Sequence, residues 1–505
     1  MSGSAWSVAL VGLEGKLVEI EAALGGGLPR TVIVGLPDTS LSEARERCRA
    51  AVNSSGLSWP DHLVTVNLTP APLPKTGSHY DLGIVAAVLA QQGAVPHEML
   101  ASSLMMGEVG LDGRVRAVNG VLPGLLAASR SGFARAIVPA AQIGEARLVE
   151  GLQVQGVASI VELVDVLRGE VVLHDAPPRV EASERPLGDL SDVVGQTEAK
   201  WALEVAAAGR HHLYLQGAPG LGKTMLAARM PTLLPDLSVS EALEVSALYS
   251  LVGHDINSGL VRRPPFADPH HTASVVSLVG GGAKVIRPGA ISLAHRGVLF
   301  LDEAPEFGKH LMEALRTPLE SGWVKISRAA ATARYPARFQ LVLAANPCPC
   351  GYSGAPGSAC SCTPMQIRRY GERLSGPILD RIDIQQRLSP VRLSLLSTAA
   401  LRAEPSGAVA SRVAEARLRQ AARLKGTRWL TNGEVPGSHL RKALPPPEGA
   451  ELLDKAMARG SLSARGVDKV IRIAWTLADL AGKDRISRQA LLTAIGMRQG
   501  EGMAA

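Results

Sequence analysis

Gly217, four further residues and then Gly222-Lys223-Thr224 set a spacing that does chemistry. The stretch 211–224 reads as a short apolar strand, a Gly-rich loop and a helix opening at Gly222-Lys223-Thr224. That is the phosphate-binding P-loop pattern. Glycines let backbone N–H groups curl around phosphate oxygens with no Cβ in the way. The helix N-terminus adds partial positive charge. Gly217, Ala218, Pro219, Gly220, Leu221 and Gly222 form the cradle, Lys223 reaches the β- and γ-phosphates, and the Thr224 hydroxyl binds Mg²⁺. The ligands implied are ATP and Mg²⁺. The bland alternative is a Gly-rich turn between strand and helix.

A P-loop needs a second element, an apolar strand ending in acid. Residues 298–303, Val-Leu-Phe-Leu-Asp-Glu, supply it. Asp302 holds Mg²⁺ through water, and Glu303 orients and deprotonates the attacking water. A third apolar strand, 339–346, ends in Asn346. A lone Asn after a strand commonly caps a turn, but the order P-loop, acid pair, Asn strand points to a third element of the same site.

Between Lys223 and Asp302 there is room for an insertion, which holds His270-His271 and Gly280-Gly281-Gly282. Adjacent histidines suit turn hydrogen bonds or a metal. Residues 324–328 and 333–338 read as a hairpin carrying Lys325, Arg328, Arg334 and Arg338, which suits a phosphate backbone gripped without reading sequence, or a solvated hairpin. Directly after Asn346 come Cys348 and Cys350, then Cys360 and Cys362. Two Cys-x-Cys pairs can supply four thiolates to a structural zinc, although the usual knuckle is Cys-x-x-Cys; free or redox-sensitive thiols are the alternative.

These elements sit in a chain of 505 residues, enough for about three domains. Hydrophobic residues make up 46% and aromatics 3%, so Val, Leu and Ala fill the cores, and the low aromatic content argues against extensive base stacking. A net charge of +7 permits, without demanding, contact with a phosphate backbone. No apolar run reaches the ~20 residues of a membrane span, and the N-terminus lacks a signal-peptide pattern. The expectation is a cytoplasmic protein. Four of the five cysteines fall in one short cluster, unlike a disulfide frame.

The first part, 1–170, reads as mixed α/β, with strands at 17–20, 31–35 and 62–68, and helices at 42–53 and 82–90. Residues 171–190 read as a Pro-rich linker. The motor follows at 191–390. The last part, 391–505, reads as helices, with Arg465, Lys469 and Arg472 on one face of the helix that starts near 461.

Residues 73–82 and 107–115 resemble stretches of the Lon protease domain (ribosomal S5 domain 2-like). Matched residue by residue, its nucleophilic Ser falls on His79 and its dyad Lys on Leu122, so the resemblance implies a Lon-like α+β domain that is not a protease. Ser78 is a neighbour and Lys75 reads as a solvated loop lysine. The P-loop, the Pro-His-His-Thr-Ala-Ser stretch, the Asp302-Glu303 strand, Ala-Ala-Asn-Pro-Cys-Pro-Cys-Gly and Ser-Gly-Pro-Ile-Leu-Asp-Arg-Ile-Asp together resemble the YifB/ComM family of magnesium-chelatase-like AAA+ ATPases. The resemblance implies an AAA+ core with a helical C-terminal lid. It implies Asn346 as sensor 1, Arg465 as sensor 2, and Arg381 as an arginine finger reaching the next subunit of a hexameric ring. Arg373 is the nearest alternative finger, and a local salt bridge to Asp380 or Asp383 is the plain reading of Arg381. The implied function is ATP-driven DNA translocation or branch migration during natural transformation. A chelatase motor and a protein-remodelling ATPase are the alternatives.

Overall fold

A computed structural model describes residues 3–35, 39–174, 188–282, 285–328, 332–354, 360–390 and 403–500. The Pro-rich stretches at 176–179 and 184–186, and position 391, lie outside the described residues.

Strand Gly3–Val11 turns at Gly12 and returns as Glu14–Gly25, an antiparallel hairpin. It sits inside a seven-stranded mixed sheet. Leu63–Thr69 alternates as its sequence predicts, with Val64, Val66 and Leu68 buried. Helix Asp81–Gln91 is buried from Asp81 to Ala90, which suits its nearly all-apolar sequence. Asp81 survives there because Arg47 donates to it twice, at 3.0 and 3.1 Å.

Lys75 corrects an expectation. It is not solvated: it is fully buried, and its ammonium donates to Gly35 O at 2.9 Å and to Pro70 O. Burial lowers its pKa. Ser78 donates to Glu108, and His79 Nε2 lies 2.7 Å from Val8 O. Each group at the protease-like positions is thus committed to a structural partner.

Five short strands form a second sheet in the order Phe266–Ala267, Val298–Leu301, Gln340–Ala345, Leu213–Gln216, Ile384–Arg387, all parallel. The three central strands are almost wholly buried, as helices on both faces require. Thr197–Gly209 packs on it, and so do helices Ser406–Arg423, Ala464–Leu480 and Arg488–Gln499 through a shared core around Trp475. The two sheets are tied together. Helix Val121–Arg130 packs on Val239–Leu251, and the buried Glu145 accepts the Ser250 hydroxyl at 2.5 Å.

Candidate functional site

The P-loop leaves the C-terminal end of strand Leu213–Gln216 and enters helix Lys223–Arg229. Gly220 and Gly222 take φ of +79° and +87°, a region that favours glycine, so the loop geometry dictates both residues. Lys223 Nζ donates to Gly217 O at 2.7 Å, Ala218 O at 3.0 Å and Asn346 Oδ1 at 3.0 Å. Those acceptors hold the ammonium where phosphate oxygens would be bound. Burial lowers the Lys223 pKa, while Asp302 and Glu303 oppose that.

Strands Val298–Leu301 and Gln340–Ala345 deliver the other groups to the same sheet end. Thr224 Oγ1 donates to Asp302 Oδ2 at 2.6 Å, so the two expected Mg²⁺ ligands are adjacent. Glu303 follows in the left-handed region at φ +50°, its N–H on Asp302 Oδ1 at 2.9 Å. Thr224, Asp302 and Glu303 line a cavity of about 310 Å³. It also holds Asp268, to which the sequence gives no role, and His270 and His271, which suit turn hydrogen bonds or a metal. Lys223, Thr224, Asp302, Glu303 and Asn346 are therefore one cluster.

Arg381 and Arg465 are not part of it. They line a different cavity with Arg210, Asp383, Lys469 and Arg472. Arg381 stands just before strand Ile384–Arg387, at the sheet end opposite the P-loop. It donates to Pro377 O at 2.6 Å and pairs with Glu320, so neither Asp380 nor Asp383 is its partner. Asp383 instead holds Lys469, at 2.6 Å, and accepts the His212 N–H at 2.8 Å. Lys469 is therefore buried rather than part of an exposed basic face. Arg373 pairs with Glu306 at 2.7 Å.

Cys348, Cys350, Cys360 and Cys362 converge, with sulfur atoms within 4.8 Å of one another. Three separations are 3.4, 3.7 and 3.5 Å. A tetrahedral Zn–S bond of about 2.3 Å requires sulfur atoms about 3.8 Å apart. The donor set and spacing fit a four-thiolate ion. The loop also touches the nucleotide site: a Cβ on Gly351 would lie 2.6 Å from the Pro219 ring.

Comparison with known proteins agrees with this geometry. A family model described as magnesium chelatase, subunit ChlI, matches residues 189–395. Related models, subunit ChlI of Mg-chelatase and the ChlI C-terminal region, match 20–142 and 403–498. An uncharacterized protein of Mycobacterium tuberculosis is 50% identical over 501 residues, 98% of each chain. YifB of Escherichia coli is 40% identical, covering 97% of this chain and 96% of its own. Competence protein ComM of Haemophilus influenzae is 39% identical, covering 98% and 96%. Likeness that runs end to end, through the P-loop cluster and both flanking regions, places this chain in the YifB/ComM family of magnesium-chelatase-like AAA+ ATPases.

Proposed function

We propose that this chain is an ATP-hydrolysing ring motor that moves on DNA, a translocase or branch-migration helicase serving recombination or natural transformation. One observation carries the DNA part. In hairpin Trp323–Ser327 and Thr332–Pro336, Val324, Ile326, Ala333 and Tyr335 face inward, while Lys325 and Arg334 face solvent directly opposite each other. Like charges paired across strands cost stability. An anionic partner removes that cost, and a phosphate backbone supplies it without sequence readout. Exposed Arg328 and Arg338 extend the patch, and the likeness to the competence protein ComM supports the competence setting.

In this reading Arg381 and Arg465 serve the nucleotide of a neighbouring subunit in a homo-oligomeric, hexameric ring, and the C-terminal helices form the lid domain. The front sheet is a Lon-like module for docking or DNA contact, without peptidase chemistry, working in the cytoplasm. The four cysteines hold structural zinc. Purified protein should carry one zinc per chain and lose it in Cys350→Ser; substoichiometric metal unaffected by that change overturns the assignment.

The test of function is the ATPase rate with and without forked DNA, and migration of a Holliday junction. Wild type should be stimulated, Glu303→Gln should bind ATP without hydrolysis, and Lys325→Ala/Arg334→Ala should keep basal hydrolysis but lose the DNA response. A rate unmoved by DNA, with no junction migration, refutes the reading. Stimulation by a protein partner alone would assign the remodelling role instead.

A further inference from the structure

The phosphate chemistry leaves the His270-His271 pair of the insertion unused. Strand register explains why it reaches the site. Phe266–Ala267 lies parallel to Val298–Leu301, with Ala267 opposite Leu299. His271 follows Ala267 by four residues and Glu303 follows Leu299 by four. The two segments therefore leave the sheet together and in step. His271 Nδ1 stands 3.3 Å from Glu303 Oε2, and both line the cavity that holds Thr224 and Asp302.

The turn carrying His271 is braced. His270 Nδ1 accepts the Thr272 N–H at 3.3 Å and lies 2.8 Å from Thr272 Oγ1. Ala273 N donates to His270 O at 2.8 Å. The His270 ring lies 4.1 Å from that of His271, tilted by 33°. Glu303 is the opposite case: its side chain is 50% exposed, and its backbone occupies the costly left-handed region at φ +50°. A half-exposed glutamate keeps rotamer freedom that must be lost before it can act as a base. His271, carried on that braced turn and 3.3 Å from the carboxylate, restricts that freedom in advance.

We propose that His271 is a positioning residue for ATP hydrolysis, holding the Glu303 carboxylate at the point from which it takes a proton. The inference rests on Glu303 being the base. In that step water oxygen bonds to the γ-phosphorus, the bond from phosphorus to the bridging oxygen breaks with its electron pair leaving on ADP, and the water proton passes to Glu303. His271 neither gains nor loses a proton. Misplacing one reacting group lowers the rate without weakening ground-state binding.

The experiment measures steady-state ATPase and ATP affinity for His271→Ala, His271→Asn, Glu303→Gln and the double variant His271→Ala/Glu303→Gln. His271→Ala should lower kcat about tenfold with ATP affinity within about twofold, which also shows that the site is folded. His271→Asn, which keeps an N–H donor, should recover most of the rate. In the Glu303→Gln background, which binds ATP without hydrolysing it, removal of His271 should leave ATP affinity within about twofold, because the group it positions acts only in the chemical step. An unchanged kcat, a loss of ATP affinity in either background, or no recovery by Asn overturns the proposal while leaving Glu303 as the base. Wild-type hydrolysis by Glu303→Gln would overturn the base assignment itself, and with it the proposal.

Discussion

His212 and His295 fasten the central strand of the nucleotide sheet and the segment leading into it through the lone pair of a neutral imidazole, which should make the sheet acid-labile. His212 Nδ1 accepts the Leu341 N–H at 3.0 Å, and His295 Nδ1 accepts the Arg338 N–H at 3.0 Å. Burial pushes both pKa values down to about 4; the cations Lys469 and Arg296 add to it, against the pull of Asp383 and Glu244. Protonation would set N–H against N–H. In the unfolded chain histidine titrates near 6.5, so between 6.5 and 4 the unfolded state binds more protons. Stability is then complete above pH 6.5 and is lost as pH falls toward 4. By pH 5 the linkage is worth about 2 kcal/mol for His295. It is worth less for His212, whose ring borders a cavity, so the pair contributes about 3 kcal/mol. At an m-value of about 3 kcal/mol/M, the urea midpoint of this sheet should fall by about 1 M between pH 7.5 and pH 5. Glu244 adds to the loss only at lower pH, because it is held down to about 2, chiefly by its bond to His295. The control is His212→Gln/His295→Gln, whose amide oxygen accepts the same N–H groups and does not titrate. Its midpoint should fall clearly less than that of the wild type over that range, the remaining fall coming from buried His211, which burial also holds down to about 4. A wild-type midpoint that does not fall, or one that falls equally in the double variant, refutes the reasoning.

Gly351 holds φ +87° and abuts Pro219, so Gly351→Ala adds a left-handed penalty of about 1–2 kcal/mol and pushes the cysteine loop off the P-loop. ATP affinity measured by calorimetry should fall about tenfold; an unchanged affinity shows that the two loops are not coupled. Lys469→Ala leaves Asp383 buried without its ammonium partner, at a cost of about 3 kcal/mol. Its urea midpoint should drop at neutral pH, and an unchanged midpoint argues against a structural role for the pair. In the front sheet, burial raises the Asp81 pKa to about 6, against the pull of Arg47. Protonation there relieves a buried charge, so that contribution grows as pH falls from 6 to 3.8, and Asp81→Asn should remove it from the pH dependence of the front-sheet transition.

The nucleotide cluster was legible because its signals are local. A Gly spacing, an acid pair at a strand end and an Asn at another each lie within a few residues, and a parallel sheet carries all three to one edge. What stayed hidden depends on distant pairing. Lys75 is buried because Gly35 and Pro70 turn carbonyls toward it, and nothing near residue 75 announces Gly35. Arg381 takes Glu320 rather than either neighbouring aspartate, because helix Arg316–Ser321 brings that carboxylate across. The opening strand Gly3–Val11 is rich in Ser, Ala and Gly and gives a weak strand pattern; its long partner Glu14–Gly25 makes it a strand. His271 meets Glu303 through register between two strands more than thirty residues apart, which no local pattern encodes.

The distribution of basic groups bears on how the proposed motor completes its site. Strand Leu213–Gln216 has four residues, so its two ends are separated by about 13 Å at ~3.3 Å per residue. Lys223, Thr224, Asp302 and Glu303 occupy one end, whereas Arg381 precedes the neighbouring strand at the other and joins Arg465 there. Side chains facing a cavity at the far end cannot also close on a γ-phosphate held by the chain's own P-loop. A head-to-tail ring resolves this, because the far end of one subunit can then face the P-loop end of the next. In such a ring Arg381 must exchange Glu320 for phosphate, a trade between two anions rather than the stripping of a paired cation. Arg381→Ala should therefore leave ATP binding by the isolated chain intact and abolish hydrolysis in the ring. Mixing it with Glu303→Gln subunits should restore activity, since a wild-type finger then meets a wild-type base at some interfaces. Hydrolysis by a strictly monomeric preparation at the full rate would rule this arrangement out.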